Sequence, residues 1–109
     1  RVGTWSMRAM ALGGLVLTEL GAEETARRGL PAGGLALLVK GMGQFNKHGA
    51  AKKAGFLKDD VVVRVGEFGA RMGEGELIGR ILQSTRPGGS LDVEVLRGAE
   101  RMRLSLPMQ

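Results

Sequence analysis

Few residues in this chain are of the types that break bonds, and their spacing does not assemble them for it. His48 is the only histidine and lies in the polar, glycine-punctuated loop Gly41–Gly49. There is no cysteine, hence no thiol nucleophile and no thiolate zinc site. Ser6, Ser84, Ser90 and Ser105 lack the local glycine setting of a nucleophile elbow. Asp59-Asp60 is a pair of adjacent acids at a turn, without further ligand-type residues beside it, and reads as solvated rather than as a metal site. Gly41-Met42-Gly43 is followed by no Gly-Lys-Ser/Thr, so phosphate cradling of the Walker type is absent. No catalytic residue, metal or cofactor is expected in this segment.

The chemistry the residues do support is binding. Leu12-Gly13-Gly14-Leu15 places two glycines, free to take positive φ, directly before the apolar run Leu15–Leu20. A turn with inward-pointing amides can hold a carboxylate as a nest holds an anion. A strand opening from that turn can pair with an incoming peptide backbone. Leu12, Gly13, Gly14 and Leu15 are therefore the candidate carboxylate loop, with Leu15, Val16, Leu17 and Thr18 the candidate pairing edge. Arg8, shortly before the loop, is a candidate to assist the carboxylate. Leu77 and Ile81, four apart on a helical stretch, share a face and are candidates for the opposite wall; Ile78 and Leu82 are then expected to face the core. Each has a plainer reading as turn, core or solvated cation, so the argument rests on their joint presence.

The elements that must position these residues follow from periodicity. Trp5–Met10 alternates apolar and polar residues and is expected to be a strand. Leu15–Leu20 is a second strand. Gly21–Gly29 reads as a short helix with early acids and late arginines, stopped by Gly29. Leu35–Val39 runs without alternation and is expected to be a strand covered on both faces. Ala50–Phe56 makes one or two helical turns stopped by Gly55, and Val61–Val65 is a strand. From Glu74 to Thr85 the apolar spacing is that of an amphipathic helix, although Gly75 and Gly79 each cost it roughly 1 kcal/mol relative to alanine. Arg86-Pro87-Gly88-Gly89 ends it. Leu91–Arg97 and Arg101–Leu106, joined at Gly98-Ala99-Glu100, form a hairpin. The fold class is thus α+β, mostly β with two helices: a small, partly open antiparallel barrel or sandwich capped by helices.

Bulk properties narrow the function classes. The 109 residues make one domain, 1–109, with ordinary hydrophobic (43%) and charged (25%) content, and the core must be aliphatic because aromatics are only 4%. Net charge is +5, but the cations are dispersed and no aromatics are interleaved to stack on bases, so nucleic acid is not an expected partner. No apolar run reaches the ~20 residues of a bilayer crossing. The chain begins at Arg1 and reads as a segment of a longer protein.

Two longer strings carry a resemblance. Ala50-Ala51-Lys52-Lys53-Ala54-Gly55-Phe56-Leu57-Lys58-Asp59-Asp60-Val61-Val62-Val63-Arg64-Val65-Gly66 and Arg86-Pro87-Gly88-Gly89-Ser90-Leu91-Asp92-Val93-Glu94-Val95-Leu96-Arg97 resemble PDZ domains, in the bacterial form appended to trypsin-like serine proteases of the high-temperature-requirement family. Gly14-Leu15 stands in the place of that family's carboxylate-binding loop. The resemblance covers nearly the whole chain and departs from the family at three points. Asp59-Asp60 replaces the usual Gly-Asp, Met42–Gly49 is longer than the typical connection, and Gly13 stands where a hydrophobic residue is usual. It implies capture of C-terminal or extended peptides with an apolar terminal residue, by strand addition between residues 15–20 and the helix 74–85. It also implies recruitment to, or regulation of, a linked protease in an extracytoplasmic setting. The alternative is a structural or assembly domain whose groove is filled by its own loop 42–49 or by another chain's C-terminus, with oligomerisation through the tail Leu106-Pro107-Met108-Gln109.

Overall fold

A computed structural model describes residues 3–86 and 88–108. Its elements are α1 (Thr4–Leu12), β1 (Leu15–Glu19), α2 (Ala22–Arg27), β2 (Leu37–Met42), a 3₁₀ turn (Asn46–Gly49), α3 (Ala50–Ala54), β3 (Val61–Val65), α4 (Glu74–Ser84), β4 (Ser90–Arg97) and β5 (Glu100–Pro107). The five strands form one antiparallel sheet in the order β1-β2-β3-β4-β5, so β1 and β5 are its edges and the sheet is not closed. Register shifts interrupt the β1–β2 and β3–β4 ladders, between Val16 and Leu17 and between Val62 and Arg64. Such irregularities twist and bend a sheet.

The beginnings of β2 and β3 pack against clusters on both faces, which is why residues 35–39 and 61–63 do not alternate, whereas β4 alternates buried and less buried residues. Leu35, Leu37, Val39, Val62, Val65, Val93 and Val95 belong to the main core, with Phe56 its largest side chain. Ala36, Val61 and Leu96 belong to a smaller cluster with Leu20 and Leu30. The hairpin β4–β5 closes the fold, and Met108 extends it: its N–H donates to Gly89 O (2.7 Å) and its carbonyl accepts from Gly88 N–H (3.0 Å). Leu106 and Met108 are buried, so this part of the tail belongs to its own domain. Pro87 and Gln109, included in the expected turn and tail, lie outside the described residues.

Three expectations are corrected. Residues 5–10 are not a strand but part of helix α1, which joins the three expected helical stretches to make four α-helices among the described residues. The stretch consists mainly of Met, Ala, Arg and Leu, all strong helix formers. It ends at Gly13, left-handed at φ +60°, with Gly14 N–H donating to Arg8 O at 3.1 Å, a Schellman-type stop. Leu82 is 39% exposed rather than facing the core, whereas Ile78 is buried as expected. Asp60 is not solvated: its side chain is 1% exposed. It accepts Leu57 N–H (3.0 Å) and, through both oxygens, Arg97 Nε and Nη2 (2.8 Å each). These hydrogen bonds hold the Arg97 guanidinium above its ordinary pKa. Asp59 has φ +73°, the left-handed conformation that glycine adopts without penalty. The departure from Gly-Asp is therefore tolerated at a local backbone cost, and the acid that matters structurally is retained as Asp60.

Candidate functional site

The open edge of β1 faces α4, and the segment leading into α4 runs alongside it. Leu17 N–H, on the side of β1 away from β2, donates to Glu74 Oε2 at 2.8 Å. Glu74 in turn takes Arg8 in a two-pronged pair, Nε to Oε2 at 3.0 Å and Nη2 to Oε1 at 2.8 Å. Both side chains are largely covered, 28% and 14% exposed. Hydrogen bonding to Glu74, ahead of its opposite charge, raises the Arg8 pKa above its ordinary value. At the far end of β1, Arg71 reaches back to Glu19 (3.0 Å), the Thr25 hydroxyl (3.4 Å) and Leu20 O, fixing the strand exit.

The glycine turn is locked from outside. A Cβ on Gly13 would lie 2.9 Å from both Ala51 N and Leu106 Cδ1, and one on Gly14 would lie 2.0 Å from His48 O. Gly13 O accepts Ala51 N–H (3.0 Å) and Gly14 O accepts Gly43 N–H (3.1 Å). The hydrophobic residue usual at the position of Gly13 has no room here, because α3 and β5 pack against it. The long loop 42–49 lies on the β2 side of β1, with Phe45 at 79% exposure.

Of the residues singled out from the sequence, Arg8, Gly14 and Val16 meet around a pocket of about 170 Å³, completed by Met42, Gly43 and His48. Thr18 is exposed on β1. Leu12, Leu15, Leu17, Leu77 and Ile81 come together as well, but inside the main core, with Leu77 and Ile81 fully covered. Helix α1 packs against both α4 and β1, bringing Ala11 and Leu12 into that cluster and Met7 against it. Sequence reasoning missed Glu74; its position four residues before Ile78, at the start of the amphipathic helix, was visible, but its partner Arg8 is 66 positions away.

Solved structures share this fold. The chain superposes on an HtrA3 PDZ domain bound to a phage-derived ligand (FGRWV) with a TM-score of 0.64, at 17% identity, covering 88% of this chain and 82% of that one. The fold is a PDZ domain. It also matches the HtrA-type protease AlgW: a variant with a decapeptide gives a TM-score of 0.66 at 25% identity, and a tripeptide complex gives 0.61 at 23%. The PDZ chain spans 27% and 29% of those proteases while they cover 87% and 86% of it, so it corresponds to one part of a larger architecture. No family sequence model matches the chain, and no curated protein matches it by sequence.

Proposed function

We propose that this PDZ domain is a binding module, not an enzyme, which takes C-terminal or extended peptide segments as an added strand on the open edge of β1, between β1 and α4. The observation that carries this reading is the hydrogen bond from Leu17 N–H to a carboxylate oxygen: the edge of β1 offers a donor, and an acidic acceptor already satisfies it. Strand addition supplies affinity through such main-chain bonds, and side-chain pockets supply specificity. In this reading Leu12–Leu15 receives the terminal carboxylate, and the aliphatic lining from Leu15, Leu17, Leu77 and Ile81 favours an apolar terminal residue. The peptides in the AlgW and HtrA3 structures support it. A bacterial parent protein would use the domain to recruit substrates to, or regulate, a linked protease, with residues 1–109 forming a single PDZ unit.

The test is a titration of free-carboxylate peptides with apolar ends, FGRWV among them, against their C-terminal amides. Dissociation constants of micromolar order, about −8 kcal/mol, are expected for the free acids, with the amides at least about tenfold weaker. Equal binding of acids and amides removes the carboxylate loop from the reading, and no binding removes the reading itself.

A second reading, a structural domain with a filled groove, is favoured by the complete burial of Leu77 and Ile81. Within the same apolar cluster stand Leu106 and Met108 of the tail and Ala11 and Leu12 of α1, and α1 is the helix that packs against α4.

A further inference from the structure

Helix α1 makes, within the chain, the contacts that an added peptide needs. The carbonyl of Arg8 accepts Gly14 N–H, an amide assigned above to a ligand carboxylate. The side chain of the same residue holds Glu74 so that its carboxylate accepts Leu17 N–H, the amide assigned above to a ligand backbone. Ala11 and Leu12 sit in the apolar cluster with Leu15, Leu17, Leu77 and Ile81. One residue, Arg8, thus ties down the turn through its main chain and the strand edge through its side chain.

We propose that α1 is an intramolecular occupant of the peptide groove, and that ligand capture requires its release, gated by the Arg8–Glu74 pair. The inference rests on the peptide-binding reading above. Its physical basis is the contrast between how α1 is held and how the turn beside it is held. The helix has nine residues, an N-cap glycine without a side-chain hydrogen bond, no acid in its first turn and no base in its last. A helix that short is marginal on its own, and here neither capping nor dipole pairing supports it. Among the described side chains of α1 the fully covered ones are Ala9, Ala11 and Leu12, of which Leu12 alone is large. The glycine turn is instead anchored by Gly13 O to Ala51 N–H and Gly14 O to Gly43 N–H, bonds that do not involve α1. Rotation at Gly13 therefore frees the helix while the loop and β1 stay in place. Releasing it returns Gly14 N–H and Leu17 N–H to an incoming strand and uncovers the wall formed by Leu77 and Ile81.

When only a fraction of the molecules is open, the apparent affinity falls by that fraction, and weakening the closed state recovers it. The substitution Glu74→Gln removes the ion pair while keeping a side chain of the same shape. Two measurements are made on the whole chain with a free-carboxylate pentapeptide: affinity by calorimetry, and amide hydrogen exchange of residues 6–12 against β3 as reference. The proposal expects Glu74→Gln to bind about twofold to fivefold tighter. It also expects peptide to accelerate exchange in α1 while β3 stays protected. Binding by the variant alone supports both readings. Peptide that binds wild type and variant equally, with α1 exchange unchanged or slowed, overturns the latch and leaves peptide binding intact. No binding by either protein, although exchange shows α1 opened in the variant, overturns the peptide-binding reading and the latch with it. No binding with α1 still protected in the variant overturns the gating role of the pair.

Discussion

Gly14→Ala tests whether the loop at the head of β1 is fixed by packing. Gly14 has φ +91°, and a Cβ built there lies 2.0 Å from His48 O, 2.7 Å from its carbonyl carbon and 2.9 Å from its Cα. All three are backbone atoms, so no side-chain rotation relieves the contact. An L residue in left-handed conformation costs about 1–2 kcal/mol. Moving the turn away from His48 also breaks Gly14 N–H to Arg8 O and Gly43 N–H to Gly14 O, each worth about 1 kcal/mol net. The substitution should therefore destabilise the domain by about 3–4 kcal/mol, lowering Tm by roughly 12–16 °C in a chain of this size. Gly79→Ala is the matched control: nothing lies within 4 Å of its added Cβ, and it is inside α4. There alanine should stabilise by up to about 1 kcal/mol. Urea unfolding followed by circular dichroism reads both. A Gly14→Ala protein that loses less than about 1 kcal/mol refutes the packing argument, since the turn would then be free to relax.

Three further outcomes follow from the geometry. Arg97→Met leaves the Asp60 carboxylate, 1% exposed, with one donor in place of three, and should cost about 3 kcal/mol in urea unfolding; a cycle with Asp60→Asn should show coupling of about 1–3 kcal/mol. Asp59→Gly relieves the left-handed backbone at φ +73° and should raise the urea midpoint by the equivalent of about 0.5 kcal/mol with an unchanged m value; a fall in midpoint would mean the Asp59 side chain contributes more than its conformation costs. Ile81→Asn places an amide in a fully covered position and should cost more than about 3 kcal/mol; a variant with native stability would mean that Ile81 reaches solvent and is not covered by α1.

What the sequence disclosed depends on how local each determinant is. Residues 21–29, 50–56, 74–85 and the final hairpin are legible because start, stop and period lie within a dozen positions: Gly29 and Gly55 have positive φ where the pattern ends. Helix α1 was not legible by alternation, because Ser6 and Arg8 between apolar neighbours satisfy a period of two as readily as a helical stripe. The deciding signal was composition: no β-branched residue between Trp5 and Leu12, then a Gly-Gly stop. The spacing of Leu77 and Ile81 placed them on one face, expected to be a groove wall, yet both are fully covered and Leu82, expected inward, is exposed: spacing says which side chains share a face and not what covers it. Asp60 looked solvated because its partner lies 37 positions away in the other family-like string. That separation ties the two strings together, which neither reveals alone.

The same non-local logic bears on Gly13-Gly14. Read as a motif, the missing side chain at Gly13 weakens the likeness to a carboxylate loop. Read in the fold, Gly13 lacks a side chain because Ala51 N and Leu106 Cδ1 occupy the space, and Gly14 lacks one because His48 does. Glycine at these positions is thus dictated by α3, β5 and the 3₁₀ turn behind the loop, independently of what the loop presents to its front. On that front side the Gly13 and Gly14 amides both meet an acceptor already, the Arg8 carbonyl. Glycines that permit the tight backing also cap α1, because a Schellman stop needs a left-handed residue at the position of Gly13. Carboxylate capture and α1 docking therefore compete for Gly14 N–H. It follows that changes in α1 should alter ligand affinity without touching the loop, whereas changes in the loop should alter stability first.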